Sequence, residues 1–239
     1  MTAGAGRLAD STWVEIDAAP RQVLIVPLGA TEQHGPHLPL DTDTFLAAAV
    51  AARLHDDRPS SGLAPALPFG SSGEHADFAG TLSVGAEVVQ SLVVELVRDA
   101  SRFWGSVLVV NGHGGNLEPL RAAQLLCRQE GRWLGVVHLA LPGMDAHAGV
   151  AETSMMLHLA PQRVRLERAE AGPTTAVSEL LGRLRSDGVR AVSANGVLGD
   201  PRGASAELGG QLVEALAEHV RAAYDTLVTD SQASDSRQL

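Results

Sequence analysis

The chain contains no lysine: all 18 of its basic residues are arginines. That excludes Schiff-base chemistry on a lysine side chain. It has a single cysteine, Cys127, so no internal disulfide can form. Cys127 sits in an apolar helical pattern and reads as a small buried hydrophobe. Such sparse cysteine usage fits a reducing, cytoplasmic compartment. Aromatic residues make up 3% of the chain, too few for base-stacking platforms. The formal charge is −10, and phosphate binding needs a basic stripe, so nucleic acid is excluded as a partner. No window holds about 18 uncharged apolar residues, so no membrane span is expected. Residues 1–10 lack a basic stretch followed by an apolar core, and no secretory leader is expected. There is no internal repeat and no inter-domain linker. A length of 239 residues favours one domain over residues 1–239, with disordered ends near residues 1–10 and 229–239.

What the chain does have is a dense loop, Leu28-Gly29-Ala30-Thr31-Glu32-Gln33-His34-Gly35-Pro36-His37-Leu38-Pro39-Leu40-Asp41-Thr42-Asp43. The run before it, residues 23–28, is short, apolar and ended by Gly29, which marks a buried strand. Glu32 and Asp43 offer carboxylate oxygens, and His34 and His37 offer imidazole nitrogens. Divalent transition metals favour that mixture. A turn whose histidines and acids merely face water accounts for any one of these residues. The set as a whole, crowded onto the end of one core strand, is better explained by a bound cation. Ligands in open α/β folds gather beyond the carboxyl ends of strands.

Residues 42–54 form a helix capped by Asp41 or Thr42, with Asp43 in its first turn. The apolar run 63–69 contains prolines and reads as a short or edge strand. Residues 70–82 are polar and Gly-rich, a surface loop that either lines a site or only connects. Residues 88–103 have helical spacing, with Val88, Leu92, Leu96 and Phe103 recurring near one face. Residues 106–111 are the clearest strand and run into Gly112-His113-Gly114-Gly115-Asn116. Asn116 can cap the helix that follows. No lysine follows this Gly-rich turn, so a metal-ligand role for His113 is the better reading than a phosphate cradle. Residues 133–139 form another strand, with His138 structural. Residues 151–159 are helical, with Met155, Met156 and Leu159 in the core and Glu152 in the first turn. On composition alone His147 and Glu152 are weak candidates. A last helix spans about residues 205–227. Strands alternating with helices imply an α/β layered fold with a largely parallel sheet.

These segments together resemble the creatininase family of metal-dependent amidohydrolases. The carriers are residues 29–40 with Asp43, then Asn111-Gly112-His113-Gly114-Gly115-Asn116, then His147 through Glu152-Thr153-Ser154. Phe78-Ala79-Gly80-Thr81 and Gly199-Asp200-Pro201-Arg202 add support. The resemblance spans about residues 13–220 and implies an α/β/α sandwich with two divalent metal ions per subunit: zinc, iron(II) or manganese. Matched residue by residue, Glu32 and His113 hold one metal, His34 holds the other, and Asp43 bridges them. Creatininase takes a further ligand from a Glu at the position of Gly115, and Glu152 is the substitute here. That departure argues against creatinine as substrate. His147 matches a histidine placed to pass a proton to the leaving nitrogen.

Within the family the pattern most resembles a branch that acts on a modified ribosomal precursor peptide. That branch cleaves before a C-terminal Val-Tyr pair already decarboxylated and crosslinked by a radical enzyme. A creatininase proper and a deformylase of a pyrimidine nucleotide intermediate remain alternatives. Arg202 is the kind of residue a nucleotide substrate would recruit. The family also implies a closed homo-oligomer.

Overall fold

Residues Val23–Leu28 are apolar throughout, and a parallel strand of that kind needs cover on both faces. The computed structural model describes residues 6–235, and there the run is strand β1, buried at all six positions. Beside it lie β2 (Ser61–Leu63) and β3 (Ser106–Asn111), with β4 (Leu134–His138) beyond β3. The order is β2-β1-β3-β4 and every pairing is parallel. The helices are α1 (Trp13–Asp17), α2 (Thr42–Asp57), α3 (Ala86–Ala100), α4 (Leu117–Gln129), α5 (Val150–Leu159), α6 (Val177–Val192) and α7 (Ala206–Asp235).

Strand side chains alternate between the two faces. Val23, Ile25, Leu108, Val110 and Val137 pack with Leu46 and Val50 of α2, Met155 of α5, and Leu216 and Val220 of α7. Leu24, Val26, Val107 and Val109 turn the other way, onto Val89, Val93 and Val97 of α3 and Leu120 and Cys127 of α4. The result is the expected three-layer α/β/α sandwich. Leu180 and Leu184 of α6 form a smaller cluster with Val189 and Leu198. From β1 the chain passes through α2 to β2 on one side. From β2 it crosses by α3, on the opposite face, to β3 on the other side of β1. The strand order therefore reverses between β1 and β3, which opens a crevice beyond their carboxyl ends.

Four sequence expectations are corrected. The strand expected within residues 63–69 is Ser61–Leu63 instead. Pro65 and Pro68 supply no N–H to a ladder, and Leu67 makes only an isolated bridge to Leu28. On α3 the supposed core face is the outer one: Val88, Leu92 and Leu96 are exposed, as is Phe103 beyond the helix end, while Val89, Val93, Val94 and Val97 are buried. The last helix continues past Leu227 to Asp235, so residues 229–235 are not a frayed tail. Leu8–Asp10 form a short 3-10 turn, and Arg7 pairs with Asp56 at 3.2 Å. The expected disorder therefore does not reach residues 6–10. The expectations for residues 1–5 and 236–239 lie outside the described residues. No described helix is long and apolar enough to cross a membrane.

Candidate metal centre

Two glycines let the strand ends close on the first turn of α2. A Cβ on Gly29 would lie 2.3 Å from Thr44 Cα, and one on Gly112 would lie 2.4 Å from the Asp43 carbonyl oxygen. Only glycine permits such approach. The consequence is a buried cluster. Glu32 and His34 come from the loop after β1, Asp43 from the start of α2, and His113 from the turn after β3. His147 comes from the segment just before α5, and Glu152 from the first turn of that helix. Glu32, His34, Asp43, His113 and His147 are all buried, and Glu152 is half-buried.

The donors fall into two groups that share Asp43. Glu32, Asp43 and His113 have donor atoms within 4.8 Å of one another, and so do His34, Asp43 and Glu152. A third group joins Glu32, His34 and His147. His34 Nδ1 donates to the Glu32 backbone carbonyl at 3.1 Å, while its Nε2 lies 2.9 Å from Asp43 Oδ1 and 3.9 Å from Glu152 Oε2. His113 Nε2 donates to the Ser71 carbonyl at 2.9 Å, while its Nδ1 lies 3.2 Å from Glu32 Oε2 and 3.4 Å from Asp43 Oδ2. Each ring is thus held from behind by a carbonyl and turns its other nitrogen toward carboxylates. Metal-binding histidines are oriented in this way.

Both carboxylate oxygens of Glu32 and Oδ2 of Asp43 are buried with no hydrogen-bond partner among the described residues. Buried carboxylates are costly without a compensating cation. The imidazoles respond accordingly. Burial disfavours charge on His34, but the neighbouring Asp43 carboxylate outweighs it and lifts His34 to about 10. His113 is raised in the same way, chiefly by Glu32 acting against burial. Burial would raise Asp43, yet His34 and His113 hold it well below the usual carboxylate range. Glu152 is pushed up to about 7 by burial. His147 is driven down to about 3 by burial and by the charge on His34. Divalent cations at these donors would take over the role of the imidazolium protons. Buried nitrogen and carboxylate donors with unpaired oxygens fit such ions.

The start of α5 is itself constrained. Glu152 Oε2 accepts the Ala148 N–H at 2.6 Å, and the Asp145 carboxylate accepts from Val150 N and, at 3.1 Å, from Ala151 N. Ala148, between His147 and the helix, has φ 51°, an unfavourable conformation for an L residue with a side chain. His37 stands outside the cluster: its Nε2 lies 2.9 Å from Thr153 Oγ1, and it braces the loop against α5. His138 Nδ1 lies 3.1 Å from the Asn111 side-chain amide. Asn116 is the N-cap residue of α4, but its side chain makes no capping hydrogen bond. Its amide donates to the Gly29 carbonyl and to Asn111 Oδ1, and its oxygen accepts from Ser71 N, which ties both strand ends to the 70–82 loop.

Sequence reasoning missed His75. It is buried, and its Nε2 lies 3.2 Å from Glu32 Oε1. The polar 70–82 stretch folds back over the centre rather than only connecting elements. The available signal was a histidine placed just before Phe78-Ala79-Gly80-Thr81. Gln33 was also missed; its side chain reaches both His75 and His147. Gln33 further lines a cleft of about 360 Å³ with Pro36, Leu40, Phe78, Arg190 and Asn195.

A parallel α/β/α sheet with a buried histidine–carboxylate centre at its switch point defines a class of protein. Known proteins refine that class. Residues 9–224 match the family model described as Creatininase: Creatinine amidohydrolase, and the chain belongs to the creatininase family. It is 46% identical over 222 residues to the mycofactocin precursor peptide peptidase of Mycobacterium tuberculosis, covering 89% of this chain and 88% of that one. Identity to the protein of the same name from Mycolicibacterium smegmatis is 48% over 193 residues, 78% of each chain. The creatinine amidohydrolase of Pseudomonas putida is 31% identical over 199 residues, 70% of this chain and 76% of that one. A crystal structure of creatininase superposes with a TM-score of 0.74 at 26% identity, covering 92% of this chain and 96% of that one. A creatininase described as a manganese form gives 0.75 at 25% identity, covering 92% and 97%. The chain is a hydrolytic enzyme of this family.

Proposed function

We propose that this enzyme is a metal-dependent peptidase of mycofactocin biosynthesis. It hydrolyses an amide bond in a modified ribosomal precursor peptide and releases the C-terminal Val-Tyr-derived moiety. The observation that carries this reading is the 46% identity to a mycofactocin precursor peptide peptidase along 89% of the chain. The test is direct: purified protein with added zinc, iron(II) or manganese is incubated with the modified precursor peptide, and mass spectrometry follows the C-terminal product. A creatinine or formylaminopyrimidine nucleotide assay in parallel separates the alternatives. Arg202, the kind of residue a nucleotide phosphate would recruit, is paired with Asp200 at 2.7 and 2.8 Å.

Glu32, His113 and Asp43 would hold one divalent ion, and His34, Asp43 and Glu152 the other. Two such ions supply Lewis acidity for the scissile carbonyl and lower the pKa of water toward neutrality. Glu32 and Asp43 keep the centre anionic, and Ser71 and the Glu32 carbonyl fix the rings of His113 and His34. His147 takes a proton from the attacking water and passes it to the leaving amine. The cleft beside Gln33 receives the peptide. We also assign the enzyme to the cytoplasm as a homo-oligomer of single-domain subunits. The exposed Val88, Leu92 and Leu96 of α3 offer an apolar face to a second copy, and a mass measurement in solution checks that.

A further inference from the structure

We propose that Gln33 is a positioning residue: it fixes the proton positions on His75 and His147 and leaves Nδ1 of His147 as the working nitrogen. The inference rests on the role given to His147 above.

The argument starts from two backbone groups. Gln33 Oε1 accepts the Gly35 N–H at 2.9 Å, and Gln33 Nε2 donates to the Gly196 carbonyl at 2.9 Å. A donor on one side and an acceptor on the other leave only one orientation for the amide. Gly196 is required there, since a Cβ at that position would lie 1.8 Å from Gln33 Oε1 and its φ is 82°. One amide proton remains, and Nε2 lies 2.9 Å from His75 Nδ1 and 3.0 Å from His147 Nε2.

The backbone also decides between those two. His147 Nε2 is 2.7 Å from the carbonyl oxygen of Gln33 itself. A carbonyl only accepts, so His147 Nε2 carries its proton and donates it there. It is then no acceptor, and the amide proton goes to His75 Nδ1. His75 carries its own proton on Nε2, turned toward Glu32 Oε1 at 3.2 Å. His147 Nδ1 is left bare and faces the centre, 3.7 Å from Glu32 Oε1. Through its main chain and its side chain, one residue thus sets two rings. Among the described residues, Gln33 alone hydrogen-bonds His75 Nδ1 through a side chain.

The experiment uses zinc-loaded protein with ¹⁵N-labelled histidine, read by long-range ¹H–¹⁵N spectra. The expected wild-type result is a proton on Nε2 of both His75 and His147. Gln33→Met removes the amide but keeps the backbone carbonyl. Loss of an orienting partner of this kind costs about 10–100-fold. The variant should therefore lose that much kcat on the modified precursor peptide, with zinc content unchanged. His75 should then populate the Nδ1-protonated form while His147 keeps its Nε2 proton. A wild-type spectrum with Nδ1 of His147 protonated overturns the proposal, even if the variant does not fold. So does a folded variant with unchanged kcat and unchanged His75 spectra. Wild-type protein with the expected spectra but no cleavage of the peptide upholds the proton assignment and overturns the substrate reading.

Discussion

Gly112→Ala is the sharpest test of how the centre is assembled. Gly112 follows β3 and has no unusual φ, so alanine is not barred by backbone conformation. It is barred by space. The new Cβ would sit 2.4 Å from the Asp43 carbonyl oxygen, 3.1 Å from its carbonyl carbon and 3.3 Å from its Cα. Ordinary contact begins at 3.4 Å, so the first turn of α2 must retreat by about 1 Å. These are main-chain atoms and cannot swing aside as a side-chain tip does. Overpacking of this kind costs about 1–3 kcal/mol. At roughly 2–4 °C per kcal/mol for a chain of this size, the melting temperature should fall by about 2–12 °C. The retreat also carries Asp43 away from His113 and Glu32. A misplacement of about 1 Å can cost about 10²-fold in rate. Calorimetry and peptide turnover on zinc-loaded protein measure both effects. Gly114→Ala is the control, because a Cβ there meets nothing within 4 Å; it should change neither. If Gly112→Ala matched wild type within twofold in rate and 1 °C in melting, the close approach of β3 to α2 would not be what positions Asp43.

Asp43→Ala should strip both metal ions, because Asp43 belongs to both donor groups. Elemental analysis reads this directly, and a variant keeping close to two ions per chain shows that Asp43 does not bridge. His147→Ala should keep its metal and lose about 10²–10⁴-fold in turnover, the range for a lost proton donor; metal loss matching the rate loss sinks that role. Glu152→Gln can still accept the Ala148 N–H but loses its charge. Retention of one ion in place of two marks Glu152 as a ligand, whereas a loss of only about 10–100-fold in affinity marks a residue that merely orients the site.

The sheet was legible because its central strands carry a local signal. Residues 23–28 and 106–111 are short apolar runs ended by Gly29 or by Asn111-Gly112, and both are strands with those bounds. The helix stripes were less legible. Residues 86–100 carry two apolar rows at helical spacing, and periodicity does not say which row faces inward. The row Val89, Val93 and Val97 won because it meets Leu24, Val26 and Val107 of the sheet. That is a tertiary fact. Likewise, α7 continues past Leu227 although residues 229–235 are polar apart from Ala233. Val228 still packs against the core there, and nothing after it breaks a helix.

The centre divides along the same line. Glu32, His34 and His113 could be singled out as donors because each follows closely on a recognisable strand end, and Asp43 because it opens the helix that follows the same loop. His147 and Glu152 could not, since α5 lies far along the chain and reaches the centre only by packing against α7 and α2. Resemblance to a family supplied them. His75 escaped both routes, because a polar, Gly-rich stretch reads as solvent-facing until it is known to fold back. What brings these pieces together is a set of approaches that only glycine tolerates: Gly29 to Thr44, Gly112 to Asp43, Gly196 to Gln33 and Gly115 to Ser71. At Gly115 a Cβ would lie 2.2 Å from the Ser71 carbonyl and 2.4 Å from His113 Nε2. The absence of a side chain there is what lets the Ser71 carbonyl reach the ring. A glutamate at that position would displace the carbonyl that orients His113.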